Sequence, residues 1–506
     1  MTVSPNRAGA AGAISVGVAF AITELVAGLT DRVPSAIAAV GGVVIDWSPR
    51  FVKEFAIAVF GTADKGALAI GTVIVGLVIG WFLGRATPRR PWLPVSAFGL
   101  FAALGIIAAL GEPLINPLLT VLTILLAAAS GVAVLRILLN DEEAPTDALA
   151  ADPQRRQFIA KAAGLGTVAA VAGLGGRQLI IARSEEVRQS VALPVAELTV
   201  AAPPPEAQFG SIPDLTPIVV PNDQFYRIDT ALVVPRPDPE SWRLKITGMV
   251  DREVQLSLDE LMQRPLYEQY VTISCVSNEV GGDLVGNAKW TGARLVDLLD
   301  EAGVQAGAEQ LVGRSVDGWT AGFPVELAYD GRDPLLAIGM NGEPLPPRHG
   351  FPARLIVPGL YGYVSATKWI EEIELTTWDG FDGYWIPRGW AKEAPVKTQS
   401  RIDHPRNGQT VAEDPLILAG VAWAPTRGID KVEVQFDDGE WIECRLSAPL
   451  SDKAWVQWKV EIPAPPGAHQ ARVRATDGTG YTQTATRSRP APDGATGHHT
   501  INFEVA

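Results

Sequence analysis

The chain has 506 residues, a net charge of −14 and two cysteines. That length accommodates several domains. The acidic balance argues against a nucleic-acid partner, and two cysteines leave no Cys-x-x-Cys pair for a metal or redox site.

Composition splits near residue 190. The first part is dominated by Ala, Val, Leu, Ile and Gly, and the remainder has ordinary globular composition rich in Pro, Trp and charge. Five apolar runs, at 11–29, 67–84, 92–110, 114–139 and 160–181, are each long enough to cross a hydrocarbon layer of about 30 Å. The stretch 34–60 is apolar but interrupted by Asp46, Pro49, Arg50, Lys53 and Glu54. It reads as interfacial or re-entrant helices. Arg85, Arg89 and Arg90 follow the second run, and Arg136, Arg155, Arg156 and Lys161 bracket the loop between the fourth and fifth. The positive-inside rule then places the N-terminus in the cytoplasm and everything after residue 181 outside a lipid membrane. Asp152-Pro-Gln-Arg155-Arg156-Gln-Phe-Ile-Ala-Lys161 before the moderately apolar fifth run has the form of an internal twin-arginine export signal. Such a route moves domains already folded around a cofactor. Glu24 is the acid inside an apolar run, either a functional group or polar glue between helices. The five histidines lie at 349, 404, 469, 498 and 499, so no bis-histidine haem is expected between these helices.

Residues 191–221, with Ala-Pro-Pro-Pro-Glu and further prolines, read as a linker or extended arm. The region 222–389 reads as a mixed α+β domain. Strands are expected at 242–249, 268–274, 353–357 and 368–375, with short helices at 258–263 and 295–301. From 390 to 506 short runs at 431–436, 441–446, 456–462 and 470–476 alternate with Gly- and Pro-rich turns. This spacing predicts an all-β sandwich of immunoglobulin type. Cys444 falls on one of these strands, as a core residue.

Thr272-Ile-Ser-Cys275-Val-Ser-Asn278-Glu-Val-Gly-Gly282 carries the chemistry. A β-branched run ends at Cys275 and gives way to a glycine loop, where small-molecule sites form. A thiolate there ligates a metal or attacks a substrate; a thiol there is a buried structural cysteine. His349-Gly-Phe-Pro-Ala-Arg354, Pro358-Gly359 and Ser365-Ala-Thr-Lys368 gather basic and hydroxyl groups suited to a phosphate-like anion. Asn222-Asp-Gln-Phe225-Tyr226-Arg227 sets an arginine behind two aromatics, as an anion or metal-oxo contact or as a structural ion pair. A metal at Cys275 would have that one strong protein ligand. An organic cofactor must then supply the rest, and sulfur ligands suit a transition metal.

The segments CVSNEVGGDLVGNAKWTGARL and GMNGEPLPPRHGFPARLIVPGLYGYVSATKWIEEIEL, followed by the all-β tail, resemble the sulfite oxidase family of molybdenum enzymes. The resemblance runs from about residue 221 to the C-terminus. It implies molybdenum held by a single pterin dithiolene (molybdopterin) and by Cys275. It further implies that His349, Arg354, Ser365 and Lys368 anchor the pterin phosphate, with Arg227 as the active-site arginine. Asn222, Phe225, Tyr226, Asn278 and Gly359 lie in the same motifs and are assigned with them to the cofactor. The sandwich resembles the family's dimerisation domain, which implies a homodimer. Two departures matter. Asn278 is followed by Glu279 and Val280 where the family carries an arginine pair, and Ile338 stands where it carries a pocket tyrosine. The expected activity is therefore two-electron oxo-transfer on a small molecule other than sulfite, with a separate cytochrome or quinone-linked electron carrier. A reductase of sulfoxide-type groups fed by a quinol-linked partner, and a cofactor-less cell-surface binding module, are the alternatives.

Overall fold

The computed structural model describes residues 4–30, 32–48, 52, 59, 64–111, 115–140, 153–231, 233–412 and 414–506. They form two units, Met1–Glu186 with Thr230–Arg236, and Val187–Asp229 with Pro237–Ala506.

The first unit is helical: α1 (Pro5–Leu29), α2 (Ala36–Trp47), α3 (Asp64–Ala86), α4 (Leu93–Leu110), α5 (Pro117–Leu139) and α6 (Pro153–Ser190). Side chains of Ser4, Ser35 and Asn116 cap the starts of α1, α2 and α5 by accepting from amides three residues on. Among the described residues, five stretches are long and apolar enough to cross a membrane: Pro5–Leu29, Lys65–Arg89, Leu93–Leu110, Pro117–Leu139 and Arg156–Ser190. α1 and α3 meet backbone to backbone. A methyl added at Gly12 would lie 1.9 Å from the Gly80 carbonyl oxygen, so only glycine permits that approach. Glu24, buried on α1, accepts from the Ser35 hydroxyl at 2.5 Å. Asp152 of the export-type motif and Pro49, Arg50, Lys53 and Glu54 lie outside the described residues.

In the second unit, residues 191–221 lie along the sheets. Glu197 N donates to Leu266 O at 2.8 Å, Glu268 N to Leu198 O at 2.9 Å and Val220 N to Asn287 O at 2.9 Å. The strands that follow are β1 (Arg243–Gly248), β2 (Val254–Ser257), β3 (Tyr267–Ser274), β4 (Val285–Arg294), β5 (Gln310–Ser315), β6 (Thr320–Pro324), β7 (Leu335–Met340), β8 (Glu343–Pro344), β9 (Arg354–Ile356) and β10 (Ile370–Thr376). Short helices α7 (Leu258–Met262), α8 (Leu295–Ala302) and α9 (Gly362–Ser365) join them. α7 starts at a capping box between Ser257 and Glu260. One sheet runs β2-β1-β10-β5-β6 and the other β3-β4-β7-β8, with β9 beside β7. Leu244, Ile246, Ile273, Ala288, Trp290, Ile356 and Ile373 from both sheets share one core.

The C-terminal region is β-rich: β11 (Gln399–His404), β12 (Thr410–Val411), β13 (Leu416–Trp423), β14 (Ile429–Phe436), β15 (Trp441–Glu443), β16 (Arg445–Leu446), β17 (Val456–Ile462), β18 (Gly467–Asp477) and β19 (His499–Val505). Its two sheets, β11-β13-β17-β16 and β12-β19-β18-β14-β15, enclose a core of Leu418, Val432, Val434, Trp458, Val473 and Phe503. The expected strand 441–446 is corrected here. It breaks at Cys444, because β15 pairs with β14 while β16 pairs with β17 in the other sheet. Cys444 is therefore buried at a sheet-to-sheet crossover rather than within a strand, with its thiol free.

His469 ties two turns of this region together. Its Nδ1 lies 2.9 Å from Asp437 Oδ2 and its Nε2 2.7 Å from the Pro465 carbonyl. Both partners are acceptors, so the doubly protonated ring satisfies both contacts at once. Burial works against that charge, but the Asp437 and Pro465 hydrogen bonds outweigh it and raise the pKa above the usual 6.5. The contribution to stability is complete below the unfolded pKa of about 6.5 and disappears as pH rises through the raised folded value. Amide exchange in the turns around 437 and 465 will be slower in the wild type than in His469→Gln at acidic pH. The gap will close above the raised pKa. An equal gap at every pH would contradict the imidazolium assignment.

Candidate active site

β3 is buried from Tyr270 to Ser274 and pairs with β4 down to Ser274 opposite Val285. Beyond that pair residues 275–284 close on themselves. Cys275 N donates to Leu284 O at 2.9 Å, Leu284 N to Asn278 Oδ1 at 2.9 Å, and Asn278 N to Cys275 O at 3.1 Å. The loop thus fixes Cys275 at the strand end by backbone bonds on both sides. Ser277 N donates to Cys275 Sγ at 3.4 Å. Burial raises the thiol pKa, against the lowering effect of the Ser277 bonds. The thiolate is therefore the form a bound cation would draw out. The phenols of Tyr226 and Tyr361 lie within electrostatic reach of Sγ. Burial raises both, Tyr361 to about 12, so both remain hydrogen-bond donors.

A second group of side chains gathers around Arg354, the first residue of β9. Its guanidinium is 4% exposed, stacks over Trp290 with 5.1 Å to the ring centroid, and donates through Nη1 to His349 O at 3.0 Å. Its Nε has no partner, and no carboxylate among the described residues pairs with it. Burial pushes its pKa down to about 10. Lys368, 9% exposed, donates to Asp229 Oδ2 at 2.6 Å. Burial outweighs that carboxylate and pushes the lysine down to about 8. Arg227 grips the same carboxylate with two donors, at 2.8 and 3.2 Å. His349 is buried, with Nε2 2.9 Å from the Asn222 carbonyl. Burial and the Arg354 charge bring its pKa to about 3, so the ring is neutral. Arg348 Nε also points at Nε2, from 3.3 Å; the shorter contact to the Asn222 carbonyl is made when Nε2 carries the proton.

The sequence-derived residues meet in this group as follows. Phe225 stacks on Tyr226 at 5.3 Å and sets its edge against His349 at 5.7 Å and Trp290 at 5.8 Å. Asn222 accepts from Asn341 Nδ2 at 2.8 Å. Tyr226 joins the two halves, since its phenol feels both Cys275 and Arg354. Two residues serve the backbone. The Ser365 hydroxyl donates to Tyr361 O at 3.0 Å. Gly359 has φ +84°, and a Cβ there would lie 2.9 Å from Thr426 Oγ1, so a turn requires it. Three site residues escape the sequence reading: Asp229, Tyr361 and Arg348, which donates to the Asp223 carbonyl at 2.8 Å beside His349. Asp229 stands two residues after Arg227 and Arg348 immediately before His349, so a carboxylate or base adjoining a basic motif is the signal for them. Tyr361, inside Pro358-Gly359-Leu-Tyr361-Gly, has no comparable signal.

Burying a cation without an anion is unfavourable by several kcal/mol, roughly the scale of a whole domain's margin. The unpartnered Arg354 Nε, with Lys368 and neutral His349 beside it, fits an anionic group such as a phosphate. Among the described residues no three His, Cys, Asp or Glu side chains assemble into a metal site. A metal at Cys275 therefore needs ligands from outside the chain, which a pterin dithiolene provides.

A family model described as "Oxidoreductase molybdopterin binding domain" matches residues 231–385. Human mitochondrial sulfite oxidase (Homo sapiens) is 30% identical over 320 residues, covering 54% of this chain and 57% of that protein. The uncharacterized oxidoreductase YuiH of Bacillus subtilis (strain 168) is 35% identical over 153 residues, covering 30% of this chain and 74% of that protein. The sulfane dehydrogenase SoxCD of Paracoccus pantotrophus, a solved structure, aligns with a TM-score of 0.49 and 23% identity over 56% of this chain and 81% of that one. The chain spans a little over half the length of the mammalian sulfite oxidases it matches. With residues 231–385 matching the molybdopterin-binding family model and 74% of YuiH covered at 35% identity, the chain belongs to the sulfite oxidase family of molybdopterin-dependent oxidoreductases.

Proposed function

We propose that the chain is a membrane-anchored molybdenum oxidoreductase that works outside the cytoplasm on a small substrate other than sulfite. The observation that carries this reading is the buried, anion-free guanidinium of Arg354 in the same site as the thiol of Cys275. Arg354, Lys368 and His349 would hold the phosphate of a single pterin, with Asn222 and Phe225 fixing the imidazole. Cys275 would be the protein's ligand to the metal. The bound centre supplies two-electron oxo-transfer chemistry.

The rest is work of this chain's own side chains. Ser277 N orients the thiolate through its bond to Sγ. Asp229 holds Arg227 and Lys368 at fixed spacing. Arg227 would present its remaining donor edge to the substrate oxygen, and the phenols of Tyr226 and Tyr361 would donate to polar atoms near the thiolate. Electrons would pass to a separate cytochrome or quinone-linked carrier. The five apolar helices would span the membrane with the N-terminus in the cytoplasm, α6 beginning at a twin-arginine signal over Arg155 and Arg156. The immunoglobulin-like C-terminal sandwich would mediate a homodimer.

A second reading has its own observation. The loop after Cys275 offers Glu279 and Val280, and Ile338 is buried. No arginine on that loop welcomes an anion, which favours a neutral oxygen donor such as a sulfoxide, reduced with quinol-derived electrons. A cofactor-less binding module would have no use for a buried unpaired guanidinium.

Cys275→Ser in the full chain will abolish turnover and the thiolate-to-metal absorption while circular dichroism stays unchanged; normal turnover would refute the assignment. With wild type, a sulfoxide will reoxidise the chemically reduced protein if the second reading holds, and a reducing substrate will bleach the oxidised protein if the first does. Arg354→Met separates holding from folding. It will lower pterin retention, yet raise the stability of the cofactor-free chain by about 1–4 kcal/mol, because an uncompensated buried charge is replaced by a hydrophobe of similar length. A cofactor-free Arg354→Met chain less stable than wild type would show that the guanidinium is structural.

A further inference from the structure

We propose that Arg401, on β11 of the C-terminal region, is a positioning residue for the Cys275 loop. The loop is closed at its base by the Cys275 and Leu284 backbone bond, and its far end is gripped from β11 and β19. Arg401, a buried residue, divides its guanidinium donors three ways. Nε goes to Asp403 Oδ1 at 2.6 Å, Nη2 to Thr216 Oγ1 at 2.7 Å and Nη1 to the carbonyl of Gly282 at 2.8 Å. Thr216 N returns a bond to Asp403 Oδ2 at 3.0 Å. Asp403 thereby neutralises the charge, and the arginine is free to hold a neutral carbonyl. Beside it, Gly281 lies flat on the His499 ring of β19. A Cβ at Gly281 would fall 2.1 Å from His499 Cδ2, and His499 Nδ1 accepts from Ile402 N at 3.0 Å. Arg401 and His499, joined through the Ile402 amide, therefore hold two consecutive loop residues from neighbouring strands.

The consequence reaches the thiol through the backbone. Gly282 N donates to Glu279 O at 2.9 Å, and the same turn carries Asn278, whose amide bonds Cys275 O. Releasing the Gly282 carbonyl loosens that turn and with it the Ser277 amide that addresses Sγ. Arg401 touches neither the thiol nor any atom that would react, so it acts through the loop. The functional meaning rests on Cys275 being the metal ligand; the loop clamp itself does not.

The test uses the full chain in detergent, made once in a host unable to synthesise the molybdenum cofactor and once in a competent host. In the cofactor-free protein, iodoacetamide modification of Cys275 is followed by peptide mass spectrometry, with buried Cys444 as the internal reference. Arg401→Met will speed Cys275 modification by about tenfold or more, the opening expected on losing a charge-assisted hydrogen bond, and leave Cys444 unchanged. Arg401→Lys will recover part of the protection. Val434→Ala, in the core of the same C-terminal region, will lower thermal stability without altering the Cys275 rate. In the loaded protein, Arg401→Met will shift the thiolate-to-metal absorption and Val434→Ala will not. Equal modification rates in wild type and Arg401→Met, or an equal effect of Val434→Ala, would overturn the proposal. Protein from the competent host that carries no metal would refute only the cofactor reading, since the modification arm stands without it.

Discussion

The site depends on the placement of one guanidinium away from water. Arg354 starts a three-residue strand wedged beside β7 and leans on the face of Trp290, and its Nε is left without a partner. A fold tolerates such a group when something else completes it. The surrounding side chains are arranged for that purpose. His349 is forced neutral and turned by the Asn222 carbonyl, and Phe225 locks the imidazole from its edge. Among the described residues Lys368 is paired with one carboxylate, Asp229, which it shares with Arg227. The local balance of charge is positive, in a chain whose net charge is −14. That contrast supports the anion-binding role proposed for these residues, since it is not a general property of the chain.

The thiol is set by a different device. Cys275 is placed by a strand that ends and a loop that closes, so its position follows from backbone hydrogen bonds rather than from packing of its own side chain. The loop also carries the departures from the family's pattern, Glu279 and Val280. In the proposed function, the residues that would hold the cofactor and those that would face the substrate thus lie on separate segments, one around Arg354 and one after Cys275. Such separation lets a family keep one cofactor while changing substrate charge.

Much of this is legible in the sequence where local chemistry encodes it. The β-branched run into Cys275 and the glycines after it announce a strand that ends in a loop, and the run from 456 to 462 appears as β17 with the same limits. The capping pair Ser257 and Glu260 announces α7. Partnership over long separations is not legible. Lys368 and Asp229 are 139 residues apart, and nothing in either motif names the other. The run 441–446 is uniformly β-prone, so its change of sheet at Cys444 depends on which neighbours are already paired. β13, Leu416–Trp423, is buried on both faces and lacks the alternation that announces a half-exposed strand. Arg401 reads as an ordinary strand arginine until Thr216 and Gly282 are brought beside it.

In the proposed function the side chains around Arg354 and the thiol of Cys275 are parts of one cofactor site. The most direct measurement is the molybdenum and pterin content of the full chain purified from a cofactor-competent host. One molybdenum and one pterin per chain, released together on denaturation, is the predicted result. A chain that carries neither after such expression would contradict the account.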